Sequence, residues 1–569
     1  MKLSKLGVRP GSSWLALGLA ILLSLNGCGS GSAPSFQSAD TDASLPGAPA
    51  AAQALGERLF LDTRFAQYFA ANMTGVNNPL AVGDPVVQQV ETTSGTLPGP
   101  FAGQSINCRS CHFVTEFQGV PGAGNRTYAD FTSRSPIPRL INGFDHTPRN
   151  AIQMVGSLQS HSGPTFLHSD GEFNSPVDLV KATLTGRNFG WTPDQYDQAV
   201  AQVALVIRQD DGSGDLAQQR SGGLSYSTLF LGSSASIPSQ YLIPTSYRLN
   251  VQTASNDQIL TAVANLISAY MQGLLFKQDS FGRYIASPYD VFLRINHLPT
   301  QPIAGETVPQ YNQRLYNILL SLNNPTYVDG TYGSFQYHAQ PFMFGPTELA
   351  GLKIFLKAAT GATDGSQHAG NCAACHMAPN FTDFKFHNTG VSQAEYDSVN
   401  GNGAFAQLQV PSLGERNQNY DQYLPATRNH PMASERFRRE AVAGHPEFAD
   451  LGLWNVYLNP DMPNPQSDLQ SVVCAAGSDC TVDQGLANTI AQFKTPSLRD
   501  LADSTPYFHN GSKLSFTDVA GFYVFVSQLA REGGLRNPPP EFQNMSLSQD
   551  DVAALVAFLN SLTEDYDDT

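Results

Sequence analysis

The strongest constraint on this chain is a motif that occurs twice. The segments INCRSCHFV (106–114) and NCAACHMAP (371–379) each contain C-x-x-C-H, as Cys108, Cys111 and His112 and as Cys372, Cys375 and His376. Two thiols one helical turn apart can each form a thioether to a haem vinyl group, and the adjoining imidazole then reaches the iron. Two covalently bound c-type haems are therefore expected, with His112 and His376 as one axial ligand each. A zinc site assembled from both cysteine pairs would leave the two histidines unused. The motif fixes one ligand and is silent about the other, and that second ligand separates an electron carrier from a reaction centre.

Hydrophobic periodicity gives the surroundings. ALGERLFLDTRF (54–65) and PTELAGLKIFLKA (346–358) place apolar residues at helical spacing ahead of each motif. Near the end, Val552, Leu555, Val556, Leu559 and Leu562 form an apolar stripe after Ser548 and Asp551, which have capping-box spacing. The expected fold is mainly α: two c-type cytochrome domains, each around one haem, with long loops and an inserted helical region. The expected boundaries are 52–345 for the first haem domain, including an insertion near 192–345, and 346–569 for the second. Within the insertion, DQILTAVANLISAYMQGLLF (257–276) reads as an apolar helix packed on the first domain, with no chemistry of its own.

The N-terminus reads as an export signal. Lys2, Lys5 and Arg9 precede an apolar run from Leu15 to Leu25, too short for a membrane span. It ends in LNGC, which resembles a bacterial lipobox with Cys28 as the lipidated residue; anchored lipoprotein and plainly secreted protein both stay open. Residues 1–28 are then signal and 29–51 a Gly/Ser/Ala/Pro linker. Cys474 and Cys480 flank a short polar loop and are expected to form a local disulfide in an oxidising compartment. The expected location is the periplasm of a Gram-negative bacterium. Forty-eight acidic against 32 basic residues give a net charge of −16. Without a basic run, neither nucleic acid nor an anionic membrane surface is expected as a partner.

Beyond the haem motifs, LGERLFLDTRFA (55–66), PRLIN (138–142), SDGEF (169–173) and FKTPSLRDLADSTPYFHNGS (493–512) carry a resemblance to the bacterial diheme cytochrome c peroxidases and MauG-like enzymes. It covers roughly 52–190 and 346–569. The resemblance implies peroxide chemistry at the His112 haem and electron relay at the His376 haem, fed by a small cytochrome or copper protein. It implies Tyr523, in SFTDVAGFYVFVS, as second ligand to the latter iron, with Met545 as the rival. It also implies a calcium ion held by Asn142, Ser504 and Pro506.

The chain departs from the family where proton transfer occurs. The positions of the family's Gln and Glu fall on Leu179 and Phe189, neither of which carries a proton. Replacement is expected from Asp170 and Glu172 first, then His168 and Arg187. The family's inter-haem Trp falls on Ser169. His387, His430, His445 and His509 read as packing or surface residues. The leading expectation is a diheme peroxidase acting on hydrogen peroxide. Its rivals are a MauG-like oxidase acting on a protein or organic substrate and a non-enzymatic electron-transfer cytochrome. Oligomeric state stays open, homodimer included.

Overall fold

The computed structural model describes residues 49–92, 95–98, 101–112, 134–137, 143–159, 161–233, 235, 237–361, 364–474, 481–502 and 504–566. Cys28 with the signal region, PRLIN with Asn142, and Cys480 lie outside the described residues. Cys474 is disulfide-bonded. No helix among the described residues is long and apolar enough to cross a membrane.

The chain is mainly helical, and its framework is a set of capped helices. They are α1 (Ala50–Phe60), α2 (Pro176–Leu184), α3 (Tyr196–Gln209), α4 (Asn256–Gly273), α5 (Pro288–Ile295), α6 (Val308–Ser321), α7 (Pro346–Leu356), α8 (Phe516–Arg531) and α9 (Val552–Asn560). Most start where a Ser or Thr side chain accepts from an otherwise orphaned backbone N–H: Ser175 before α2, Ser255 before α4, Ser287 before α5, Thr307 before α6 and Ser515 before α8. Ser548 and Asp551 do form a capping box, on the tight turn that leads into α9. Strands are short: β1 (Gln89–Thr92) pairs antiparallel with β2 (Gly95–Pro98), and β3 (Phe386–His387) with β4 (Phe493–Lys494).

The described residues pack as one compact unit with three apolar cores. The first gathers α1, α2, α3 and α4 around Phe65, Trp191 and Phe230. Here the 257–276 helix is central: α4 buries Ile259, Leu260, Val263, Leu266 and Ile267 against α1, each such side chain contributing roughly 1.5–3 kcal/mol. The second core gathers α5 to α9, with α7 crossing α9 as α1 crosses α4. Both crossings set a glycine of the first helix against an aromatic residue of the second, Gly56 with Tyr270 and Gly351 with Phe558. Residues 288–321 pack with these C-terminal helices rather than with α1–α4. Buried Arg499 fixes them by donating to both oxygens of Asp290, each at 3.0 Å. The third core lies within 386–491 around Trp454 and Phe437, with Phe166 packed into it from the first half of the chain.

Candidate haem sites

Each C-x-x-C-H sits on one tight helical turn, Cys108–Ser110 and Cys372–Ala374. In the first, Asn107 accepts from the Ser110 N–H at 2.9 Å and donates through Nδ2 to the Leu61 carbonyl at 2.7 Å, tying the motif to the end of α1. In the second, the Gly370 N–H donates to Ile354 O on α7 and Asn371 Nδ2 to Glu541 O, at 2.8 and 2.9 Å. Each motif is thus hung on the helix that precedes it.

The histidines share one device. His112 Nδ1 lies 2.9 Å from the Ile152 carbonyl, and His376 Nδ1 lies 3.1 Å from the Phe381 carbonyl. A carbonyl only accepts, so Nδ1 carries the proton in both rings and the Nε2 lone pair is left for a metal. Burial lowers the pKa of both imidazoles, favouring the neutral, ligating form. The four motif cysteines make no disulfide, and burial pushes the Cys108 and Cys372 thiols up to about 12.

Beside the second motif lies a cavity of about 340 Å³ lined by Cys372, Cys375, His376, Tyr523, Phe542 and Met545. A mostly apolar slot with two thiols at one edge and an oriented imidazole fits a covalently held haem. Both rival ligands line it. Tyr523 is ringed by Phe508, Phe522 and Phe542, with centroids at 6.1, 6.0 and 6.3 Å. Burial, followed by the charges of Cys375 and Cys372, holds its phenol above the usual range. Met545 is buried in the second core, its carbonyl accepting from Arg531 at 3.0 Å. The same cavity is lined by Ile152, whose carbonyl orients His112.

The residues expected to handle protons fall into two groups. His168 and Glu172 face each other across a tight turn closed by the Leu167–Phe173 bridge, with Nδ1 to Oε2 at 3.1 Å. Burial opposes ionisation of Glu172, but Arg438, donating at 2.7 Å, and the His168 contact outweigh it and hold the carboxyl well below its ordinary range. The charge of His168 is felt at His112, where it adds to the effect of burial. Asp170, by contrast, is sealed from solvent and bound by Arg149, with Arg438 at 3.7 Å. Arg149 also grips Asp450 through Nε at 2.6 Å and Nη2 at 2.8 Å. Arg187 pairs with both oxygens of Glu435 and lies over the Phe144 ring. Asp170 and Arg187 therefore anchor the first half of the chain to the 435–450 segment.

Of the expected calcium ligands, Pro506 has its carbonyl occupied by Asn150 Nδ2 at 2.6 Å, and the Ser504 hydroxyl reaches Asp500 O at 3.4 Å. His509 is stacked on Phe493 at 3.5 Å, and burial pushes its imidazole down to about 3. His387 meets Asp383, His430 stacks on Tyr420, and His445 contacts Glu447 at the surface. Arg149, Arg438 and Asp450 were not legible beforehand, because their partners lie 21 to 301 residues away.

No protein-family model matches the chain. Among curated proteins it is similar to cytochrome-c peroxidase IdrP2 of Pseudomonas sp. (strain SCT), 32% identical over 143 residues, 24% of this chain and 35% of that protein. IdrP2 of Denitromonas iodatirespirans is 26% identical over 198 residues, 34% of this chain and 36% of that protein. The match thus spans about a third of the length of these relatives. Among solved structures, a MauG-like protein associated with microbial copper homeostasis aligns with 91% of each chain, at 15% identity and a TM-score of 0.40. Diheme peroxidase BthA from Burkholderia thailandensis aligns over 91% of this chain and 87% of its own, at 14% identity and a TM-score of 0.36. Two oriented C-x-x-C-H sites and this partial similarity to cytochrome-c peroxidases support the resemblance to diheme cytochrome c peroxidases.

Proposed function

We propose that the chain is an exported diheme peroxidase that reduces hydrogen peroxide to water. Per peroxide, two electrons from a small cytochrome or copper protein and two protons give two waters. The haems supply the redox chemistry, the one at His112 meeting peroxide and the one at His376 passing electrons. The first and second cores are read as their two halves, with location in the periplasm, tethered through Cys28.

The observation that carries this reading is the His168–Glu172 pair, bonded at 3.1 Å and supported by Arg438. Splitting peroxide requires a proton to move from one oxygen to the other so that the latter leaves as water. Glu172, kept ionised by Arg438, accepts from His168 Nδ1 and so leaves Nε2 of that ring free to accept and return a proton. Asp170 and Arg187 act as positioning residues, holding this turn against the 435–450 segment. On the other side, His376 and one of Tyr523 or Met545 would hold the second haem iron, and a phenolate there would favour its oxidised state. Tyr523 is also what supports the second reading, a MauG-like oxidase acting on a protein or organic substrate.

Peroxide-dependent oxidation of a reduced small cytochrome by the haem-loaded chain tests the proposal. Sustained turnover is expected. Peroxide consumption that never oxidises the donor but alters an added protein or organic substrate would move the assignment to the oxidase.

A further inference from the structure

The cavity beside His376 has an uneven polar lining. Lys494, on β4, reaches into its wall and donates through Nζ to the Phe166 carbonyl at 2.8 Å; among the described residues no carboxylate pairs with it. Gln159, 8% exposed, lines the same cavity with its Nε2 unpartnered, as do Gln153 through Nε2 and Ser157 through Oγ. A buried ammonium and unused amide donors lining one cavity offer hydrogen bonds suited to a carboxylate. An unpartnered carboxylate oxygen on this lining is Glu541 Oε2, grouped with Cys375 and His387. A haem carries its two carboxylates on one edge, away from its thioether bonds. Lys494 attracts that edge and Glu541, beside Cys375, repels it.

We propose that Lys494 and Gln159 bind a carboxylate of the haem held by Cys372, Cys375 and His376. This rests on the two-haem reading above and adds a ligand contact to it. Lys494 also donates through its backbone N–H to Ser169 O at 2.7 Å, so the contact ties that haem to the Phe166–Ser169 segment. That segment carries His168, beside the other site. Hydrogen bonds thus join the two haem sites where an indole is absent from position 169. Burial presses the free Lys494 ammonium down to about 8, as expected of a cation whose counter-ion is a bound group.

The test uses the full haem-loaded chain. A pyridine haemochrome assay on the wild type counts haems; fewer than two per chain would overturn the two-haem reading beneath the proposal. With two attached, a spectroelectrochemical titration of K494M should show the midpoint of the His376 haem falling, and K494R should bring it back toward the wild-type value. A crystal structure of the wild-type holoprotein should place a haem carboxylate oxygen within hydrogen-bond reach of Lys494 Nζ and Gln159 Nε2. Both carboxylates lying elsewhere, or a K494M midpoint unchanged with two haems attached, would overturn the assignment. The crystallographic arm holds even if K494M does not fold.

Discussion

Gly351 on α7 lies so close to Ala554 on α9 that a Cβ added there would stand 1.9 Å from the Ala554 carbonyl oxygen and 2.8 Å from the Phe558 Cβ. Gly56 on α1 repeats the relationship with Leu266 and Tyr270 on α4, at 2.0 and 2.9 Å. The obstacle is backbone in both cases, so no rotamer change relieves it. Gly351→Ala should therefore destabilise the protein by at least ~2 kcal/mol, read from denaturant unfolding of the holoprotein. A loss below a few tenths of a kcal/mol would mean that the crossing is looser than described.

The rival ligands Tyr523 and Met545 line one cavity, and two variants separate them. Tyr523→Phe should alter the low-spin ferric signal of the His376 haem, and Met545→Leu should leave it in place. The reverse outcome would assign the iron to the thioether.

His168→Ala or Glu172→Gln should lower peroxide turnover by roughly a hundredfold, the scale at which a positioned proton carrier acts. Haem content by pyridine haemochrome should stay at the wild-type level. Undiminished turnover in both variants would remove the pair from proton transfer.

Acid stability follows from the same pair. The Glu172 carboxyl lies well below its ordinary value of 4.5 in the folded chain, so below that value the unfolded state binds the extra proton. Its contribution is complete above pH 4.5 and is lost as pH falls through and beneath it. Arg438→Met leaves Glu172 and Asp170 short of a buried counter-charge and should cost about 3–5 kcal/mol at neutral pH. It should also flatten the acid limb of unfolding free energy against pH. A variant as stable as wild type with an equally steep acid limb would contradict this.

The sequence carried the parts of this molecule whose cause is local. Two C-x-x-C-H motifs, the apolar stripe of α9 and the Ser548–Asp551 cap are each readable within a few residues. The 257–276 helix was legible as a helix but not as the partner of Gly56, since that pairing spans some two hundred residues of intervening chain. Asp170 reads as a candidate for proton transfer because its partners are not local: Arg149 lies 21 residues upstream and Arg438 in the second half of the chain. Lys494 lay in plain view in FKTPSLRD, yet its role depends on which cavity β4 places it in. Periodicity reports which face is buried; it does not report against what.

The central claim is that one haem is open to peroxide and the other is closed by two protein ligands. Electron paramagnetic resonance of the ferric holoprotein, before and after adding peroxide, addresses it most directly. One high-spin and one low-spin signal are expected, with the spectrum changing within about a second, well inside the range of ordinary enzyme turnover. Two low-spin signals, indifferent to peroxide in both the oxidised and half-reduced states, would contradict the account and leave an electron-transfer cytochrome.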